Sequence, residues 1–178
     1  MKSKMVKGGL TMLMALFLAS VLTGAAAAIE VRPVAGELQI IFEPLKPVYA
    51  VGEPIQFKVR GNRDFYLYLF NIDAKRNVGF LLLPNGLQEE NRYEANQDYV
   101  IPGGKFEMVG DQSGTEKIIM VASTEKLELN VAGLNKSGAF FTGMAAEIEG
   151  KAKALQVRPP KPKEEKVHKE LTLVITAK

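Results

Sequence analysis

The spacing of apolar residues along the chain predicts a mainly β protein built around one hairpin. Apolar and polar residues mostly alternate at 38–43 and 55–60, as in strands with one buried face. Residues 65–72 and Val78–Leu83 are apolar at nearly every position, which is typical of strands covered on both faces or placed in mid-sheet. Because a polar turn joins these two runs, we predict a central hairpin.

Several shorter runs extend this pattern. Residues 98–101, 106–109, 118–123 and 171–176 have the apolar content of short strands, and segments rich in turn-forming residues lie between them. Residues 87–97 are polar and predict a surface loop. The run at 171–176 is strong enough that we expect it to pair within a sheet.

One segment near the end of the chain has a helical period instead. Apolar residues fall three or four positions apart from Phe140 to Leu155, and this spacing predicts a helix near residues 139–153. Gly143 and Gly150 weaken the helix by about 1 kcal/mol each relative to alanine. Docking onto the sheet must therefore hold it.

A charged stretch separates the predicted helix from the last strand. Residues 158–170 combine prolines with many lysines and glutamates, a composition that cannot form a core and predicts a charged loop. Together the elements amount to seven to nine short strands with one helix, which fits an immunoglobulin-like β-sandwich. We expect a single domain over residues 38–178, because such a length suffices for one core.

The N-terminus has the three parts of a secretory signal. Lysines precede an apolar run at 10–22 that is short for a membrane span, and small residues follow it. We predict a signal peptide at 1–28, cleaved before Ile29, and an N-terminal leader at 29–37. An uncleaved N-terminal anchor is the alternative.

Composition supports a soluble exported protein over other classes. The 178 residues include no cysteine, which excludes disulfides and a lipid anchor through that residue. The chain has 23 basic and 20 acidic residues, but three lysines and no acid lie within 1–28, so the remainder has no net charge. Nucleic-acid binding therefore has no support, and we expect a periplasmic or extracellular protein without a transmembrane span after signal removal.

An ordered series of motifs runs from residue 49 to residue 127. They are Tyr49, the Val-Gly-Glu of 51–53, the Asp-Phe-Tyr-Leu-Tyr-Leu-Phe-Asn-Ile-Asp of 64–73, Val78, the Leu-Pro-Asn of 83–85, Asn91, residues 99–102 and residues 118–123. In this order they resemble the bacterial family catalogued as domain of unknown function 4384. The resemblance implies an extracytoplasmic, β-rich domain. It implies no activity, because that family has no agreed catalytic residues.

Histidine and cysteine chemistry has little support in this sequence. His168 is the only histidine, and it falls in the predicted charged loop, where nothing rigid would orient it toward a serine. A zinc site would need several histidine or cysteine ligands. We therefore expect no catalytic residues, no metal and no cofactor.

Acidic residues around the predicted surface loop offer one route to catalysis. Glu89, Glu90, Glu94 and Asp98 lie close in sequence, but Arg92 stands among them and the spacing is not that of a calcium loop. We interpret them as a solvated loop. A hydrolase would need two of these carboxylates to converge in a cleft.

Aromatic residues offer a binding alternative. Tyr66, Tyr68 and Phe70 share one face of the first hairpin strand and would stack sugars if that face were open, although such a stripe is more often core. A second apolar group consists of Phe140, Phe141 and Met144. These residues either belong to the core or form a surface patch that binds a partner, and we favour the core. The Asn-Lys-Ser at 135–137 matches a glycosylation motif, which we discount because the family is bacterial.

These observations favour an exported, non-catalytic protein of a bacterial envelope that acts as an interaction or accessory domain. Its partner would be another envelope or secreted protein, and the binding residues and oligomeric state stay open. A small-ligand or polysaccharide-binding module is the alternative, and a hydrolase is the third possibility.

Overall fold

An eight-stranded sheet forms the centre of the computed structural model, which describes residues 36–157 and 163–177. These residues all belong to one unit, Pro33–Lys178. The strands in chain order are β1 (Ile40–Pro44), β2 (Val48–Ala50), β3 (Phe57–Gly61), β4 (Phe65–Asp73), β5 (Val78–Leu83), β6 (Arg92–Tyr93), β7 (Tyr99–Ile101), β8 (Gly114–Ser123), β9 (Asn135–Ser137), β10 (Phe140–Met144) and β11 (Lys166–Thr176), with the helix α1 (Ala145–Val157) between β10 and β11.

The predicted hairpin lies in the middle of the large sheet. Its strand order is β2-β11-β8-β4-β5-β10-β9, and β6 pairs with the start of β4. A second sheet, β1-β3-β7, is antiparallel and packs against one face of the first. We call that face of the large sheet the inner face, and the face toward α1 the outer face.

The two faces of β4 explain why this strand is apolar throughout. Phe65, Leu67 and Leu69 point inward into the core between the sheets. Tyr68 and Phe70 point outward into a second cluster, which also contains the buried residues of α1. Both faces of β4 are covered, so polar side chains at alternate positions would be buried in an apolar environment. The sequence accordingly has apolar residues on both faces of the strand.

The mainly β prediction is confirmed, with more strands than the seven to nine expected. The described residues contain eleven strands in two sheets and one helix, an arrangement typical of a β-sandwich with a helical layer on one side. Apart from β10, the unexpected strands are short: β2, β6 and β9 have two or three residues each. Such strands lack a period long enough to recognise in the sequence.

The start of the predicted helix is wrong. Residues 140–144 form β10, which pairs antiparallel with β5, and α1 begins only at Ala145. The Met144 backbone N–H donates to Glu147 Oε2 over 2.8 Å, so the glutamate satisfies a free donor beside the first turn. A position between β5 and β9 supplies cross-strand hydrogen bonds that outweigh the helical spacing of this apolar segment.

The predicted loop at 158–170 is also wrong in its second half. The last strand begins at Lys166. Residues 166–175 of β11 pair antiparallel with β8, and residues 174–176 pair in parallel with β2. Residues 158–162 lie outside the described residues. The predicted strand at 106–109 forms only a bridge between Val109 and Pro54.

Candidate functional site

Three of the four acidic residues around the predicted surface loop are engaged with different local partners. Glu90 Oε1 accepts the Arg92 backbone N–H at 2.8 Å, and Glu94 Oε2 accepts a hydrogen bond from the Gln97 amide at 2.5 Å. Asp98 lies 3.5 Å from Lys58 Nζ. Each of these carboxylates has its own local partner. Within residues 36–157 and 163–177, no three acidic, histidine or cysteine side chains are grouped to hold a metal ion.

His168 is held more firmly than the sequence suggests. It lies on β11 opposite Val121 of β8, so the expectation of a histidine in an unstructured charged loop is wrong. Its side chain faces solvent, and Nε2 lies 3.4 Å from a carboxylate oxygen of Glu170, its neighbour on the same strand face. This arrangement places a histidine on an outer strand surface next to an acid.

The aromatic stripe of β4 is core rather than an open platform. Tyr68 and Phe70 are each 1% exposed, and Tyr66 is half-buried. The Tyr68 hydroxyl donates to the Leu127 carbonyl at 3.0 Å and accepts the Leu127 backbone N–H at 2.7 Å. Burial raises the pKa of this hydroxyl, although the hydrogen bond to Leu127 opposes the rise. The core interpretation is confirmed for Tyr68 and Phe70.

The predicted apolar group on β10 divides between core and surface. The Phe140 ring packs edge-on against Phe106, with centroids 5.4 Å apart, and Phe141 packs against the outer cluster. Met144 is 55% exposed, so the expectation that it belongs to the core is wrong. A strand places successive side chains on opposite faces, whereas the predicted helix would have placed these three on one face.

A groove of about 750 Å³ opens on the outer face beside α1. We call it the outer groove. Its floor is formed by side chains from three adjacent strands: Tyr68 of β4, Leu81 of β5 and Phe141 of β10. The walls are the loop at 84–91 and the segment at 126–131. Its volume lies in the range of pockets that bind small-molecule ligands.

Asn85 fixes the first wall of the outer groove. Its side-chain amide donates to the Leu82 carbonyl at 2.6 Å, and Oδ1 accepts the backbone N–H groups of Leu87 and Gln88 at 2.7 and 2.9 Å. The Gly86 N–H donates to the Ala139 carbonyl at 2.7 Å, which ties the loop to the turn between β9 and β10. The wall is therefore set before any ligand arrives.

The segment at 126–131 forms the second wall and alternates in burial. Leu127 is buried and Leu129 and Val131 are half-buried, and all three line the outer groove. The intervening positions are exposed. A burial period of two is that of an extended chain, although this segment pairs with no strand in the described part of the chain.

Charges of both signs surround the apolar floor. Glu89 and Glu128 supply acids to the rim, and Lys126 and Lys136 supply bases. Asn91, which is 1% exposed, also lines the outer groove, and its side-chain amide donates to the Leu67 carbonyl at 2.9 Å. This arrangement can hold an apolar segment with polar flanks. Among the described residues that line the outer groove there is no serine, threonine, cysteine or histidine.

A second polar site, which the sequence analysis missed, lies on the inner face at the far end of β4. Asn71, Asp73 and Glu116 are buried there, and Asn71 Nδ2 donates to Glu116 Oε2 at 2.5 Å. Burial works to raise the pKa of Asp73, but hydrogen bonds from Arg76 outweigh it and hold that pKa below its ordinary value. Burial raises the pKa of Glu116. The sequence signal was two polar residues ending an otherwise apolar strand.

Comparison with known proteins gives one match. No curated protein and no solved structure matches the chain. Among the described residues, no helix has the length and apolar character needed to cross a membrane. Residues 48–126, which include strands β2 to β8, match the family model named Domain of unknown function (DUF4384), and the resemblance predicted from the sequence is thereby confirmed.

Proposed function

We propose that this protein is an exported, non-catalytic accessory protein of a bacterial envelope, and that it binds an extended peptide segment of another envelope protein in the outer groove. The observation that carries the proposal is the groove itself, a preformed apolar channel of about 750 Å³ with fixed walls and a charged rim. The proposed location, periplasmic or extracellular, rests on the sequence of residues 1–28, which lie outside the described residues.

An extended peptide suits the outer groove better than a compact ligand. The wall at 126–131 already has the period-two alternation of a strand, so a peptide beside it would present alternate side chains to the floor. The floor is apolar, and the rim carries lysines that suit acidic residues flanking the apolar part of a peptide. Recognition of this kind obtains its affinity from buried side chains and its orientation from the rim.

The alternatives have less support. Stacking of sugars on the face of Tyr66 and Tyr68 would need those rings to be accessible, and the Tyr68 ring is 1% exposed with its hydroxyl engaged. A hydrolase built on Glu89, Glu94 and Asp98 would need convergent carboxylates. Glu94 and Asp98 are each engaged with a different local partner.

Site-specific photo-crosslinking in the producing cell tests the proposal. A photoreactive residue at Lys136, on the rim, should crosslink to one extended segment of an exported protein. The matched control is Glu43, which faces solvent on β1, on the opposite side of the molecule. Crosslinks at both positions alike, or recovery of the protein in the cytoplasm, would contradict the proposal.

A peptide with the crosslinked sequence then gives a binding test. It should bind the purified protein and lose affinity by about tenfold or more when Val131→Asp places a carboxylate in the groove wall, which corresponds to about 1.4 kcal/mol. Glu43→Gln should leave the affinity unchanged. Equal binding by the Val131→Asp variant, with its circular dichroism spectrum unchanged, would remove the outer groove as the site.

A further inference from the structure

A second cavity, of about 310 Å³, lies on the inner face of the large sheet beyond the reach of the small sheet. We call it the inner cavity. The three-stranded sheet is narrower than the sheet it covers, and Phe80 and Phe140, on β5 and β10, remain half-buried. Together with Phe106 and Met108 they give the cavity an aromatic and apolar wall. Its volume is at the lower end of the range for small-molecule sites.

The wall opposite the sheet is held in place by backbone hydrogen bonds. The Met108 carbonyl accepts the Ile55 N–H at 2.8 Å, and the Gly110 carbonyl accepts the Gly52 N–H at 2.8 Å. Gly110 packs so tightly on Ile175 that a Cβ at this position would collide with it. The inner cavity is therefore a preformed space between two fixed walls.

The polar groups at the inner cavity have an excess of negative charge. Arg76 is occupied by two carboxylates: its Nε lies 2.5 Å from Asp73, and a terminal nitrogen lies 2.5 Å from Asp111. Glu107 adds a further acid on the opposite wall. Glu116 is 7% exposed, and among the described residues no basic side chain forms a salt bridge with it.

Glu116 is the group with unused capacity to bind. One carboxylate oxygen accepts the Asn71 amide, and within residues 36–157 and 163–177 the other oxygen has no hydrogen-bond donor. It lines the cavity together with the aromatic rings. A cation that enters the cavity would form a charge-assisted hydrogen bond with this second oxygen.

We propose that the inner cavity binds a primary ammonium group carried on a short aliphatic chain, with the ammonium against Glu116 and the chain against the phenylalanine rings. The second carboxylate oxygen of Glu116 can accept one of the three ammonium N–H donors, and aromatic faces attract the cation as well as its methylene groups. An anion is disfavoured because Arg76, the basic residue at the cavity, is already neutralised by two acids. This site is separate from the outer groove, so either proposal can fail without the other.

Titration with n-butylammonium, followed by amide shifts in nuclear magnetic resonance spectra at pH 8, tests the inference. We expect saturable shifts around Asn71 and Glu116, and a loss of affinity of about tenfold or more in Glu116→Gln, which keeps an acceptor for Asn71. Glu43→Gln, on the opposite sheet, should bind as the original protein does. Butyrate and n-butanol at matched ionic strength should produce no saturable shifts.

The same titration at lower pH adds an independent readout. Burial, which is partly opposed by the hydrogen bond from Asn71, raises the pKa of Glu116, and the charges of Asp73 and Asp111 add to the rise while Arg76 counters it. Glu107 faces the same cavity. Butylammonium affinity should fall as Glu116 gains its proton, and the fall should be absent in Glu116→Gln. Unsaturable shifts, equal binding by Glu116→Gln or equal binding of n-butanol would overturn the inference.

Discussion

At the scale of single residues, Asp73 shows how a buried charge is accommodated at the end of the central strand. Asp73 is 3% exposed and accepts two hydrogen bonds from Arg76. The Arg76 backbone N–H donates to Oδ1 at 3.0 Å, and Arg76 Nε donates to Oδ2 at 2.5 Å. Burial raises the pKa of Asp73, but these donors prevail, so its folded pKa lies below the ordinary value. A lowered pKa means that the ionised form stabilises the fold.

Asp73→Asn should therefore destabilise the protein at pH 7. We expect a loss of about 1–3 kcal/mol in the free energy of unfolding, because asparagine replaces one acceptor oxygen with an NH2 donor and cannot accept both Arg76 hydrogen bonds. The stabilisation by Asp73 is complete above the ordinary aspartate pKa and disappears as pH falls through the lowered folded value. The difference between variant and original, measured by urea unfolding, should therefore shrink toward pH 2.

Asp111→Asn is the matched control for this experiment. Asp111 pairs with the same arginine but its side chain is 59% exposed, and an exposed pair contributes less than about 1 kcal/mol. A deficit of Asp73→Asn that stays constant down to pH 2 would contradict the electrostatic account.

At the scale of elements, α1 depends on its docking to the outer face. The helix has 13 residues, and Ile148, Ala152 and Leu155 are its buried positions. Helices of this length are marginal in water, and Gly150 weakens this one further. Gly79 of β5 admits the helix, because a Cβ there would lie 2.8 Å from Ile148 Cβ. A glycine on the strand thus determines how closely the helix packs.

Gly79→Ala should push α1 away from the sheet. We expect a loss of about 1–3 kcal/mol in the free energy of unfolding, as for other overpacked cores, and faster proteolysis within the helix. Gly150→Ala is the matched control, because a Cβ at this position meets open space, and it should stabilise by up to about 1 kcal/mol. Urea unfolding measures both changes. Equal effects of the two variants would show that the close contact has no energetic consequence.

In two segments, pairing between strands overrides the structure that the local sequence pattern predicts. Residues 140–144 have helical spacing yet form β10, because β5 presents a free edge with which they pair. Lys166 and the charged residues after it read as a loop yet form β11, because β8 supplies a partner along the whole strand. In both cases the deciding interaction joins residues more than 40 positions apart in sequence, and no local pattern contains it.

At the scale of the whole molecule, the family match covers only part of the folding unit. Residues 48–126 contain β2 to β8, but β11 lies between β2 and β8 in the large sheet. The helix α1, which also lies beyond the match, packs on the outer face of β4, β5 and β8. A fragment limited to the match would expose both an unpaired strand edge and an apolar face.

We therefore expect residues 48–126 alone to be insoluble or unfolded, while 36–178 should fold cooperatively. Circular dichroism and the dispersion of amide resonances distinguish the two states. Addition of β11 as a separate peptide should restore little order, because α1 would still be absent. A well-dispersed spectrum from the 48–126 fragment would contradict this account and would define a smaller autonomous domain.

The sequence alone determined the parts of this protein that depend on local periods and on recognisable motifs. The hairpin of β4 and β5 and the mainly β class follow from apolar residues close together in the chain. The resemblance predicted over 49–127 follows from an ordered series of short motifs, and the family match covers 48–126. The tertiary structure decided where β10, α1 and β11 begin and which residues form the two sites. The outer groove joins side chains from positions 68 to 141, and the inner cavity joins positions 71 to 140. Only cross-strand pairing and helix docking bring such distant residues together, because each contact depends on the register of the whole sheet.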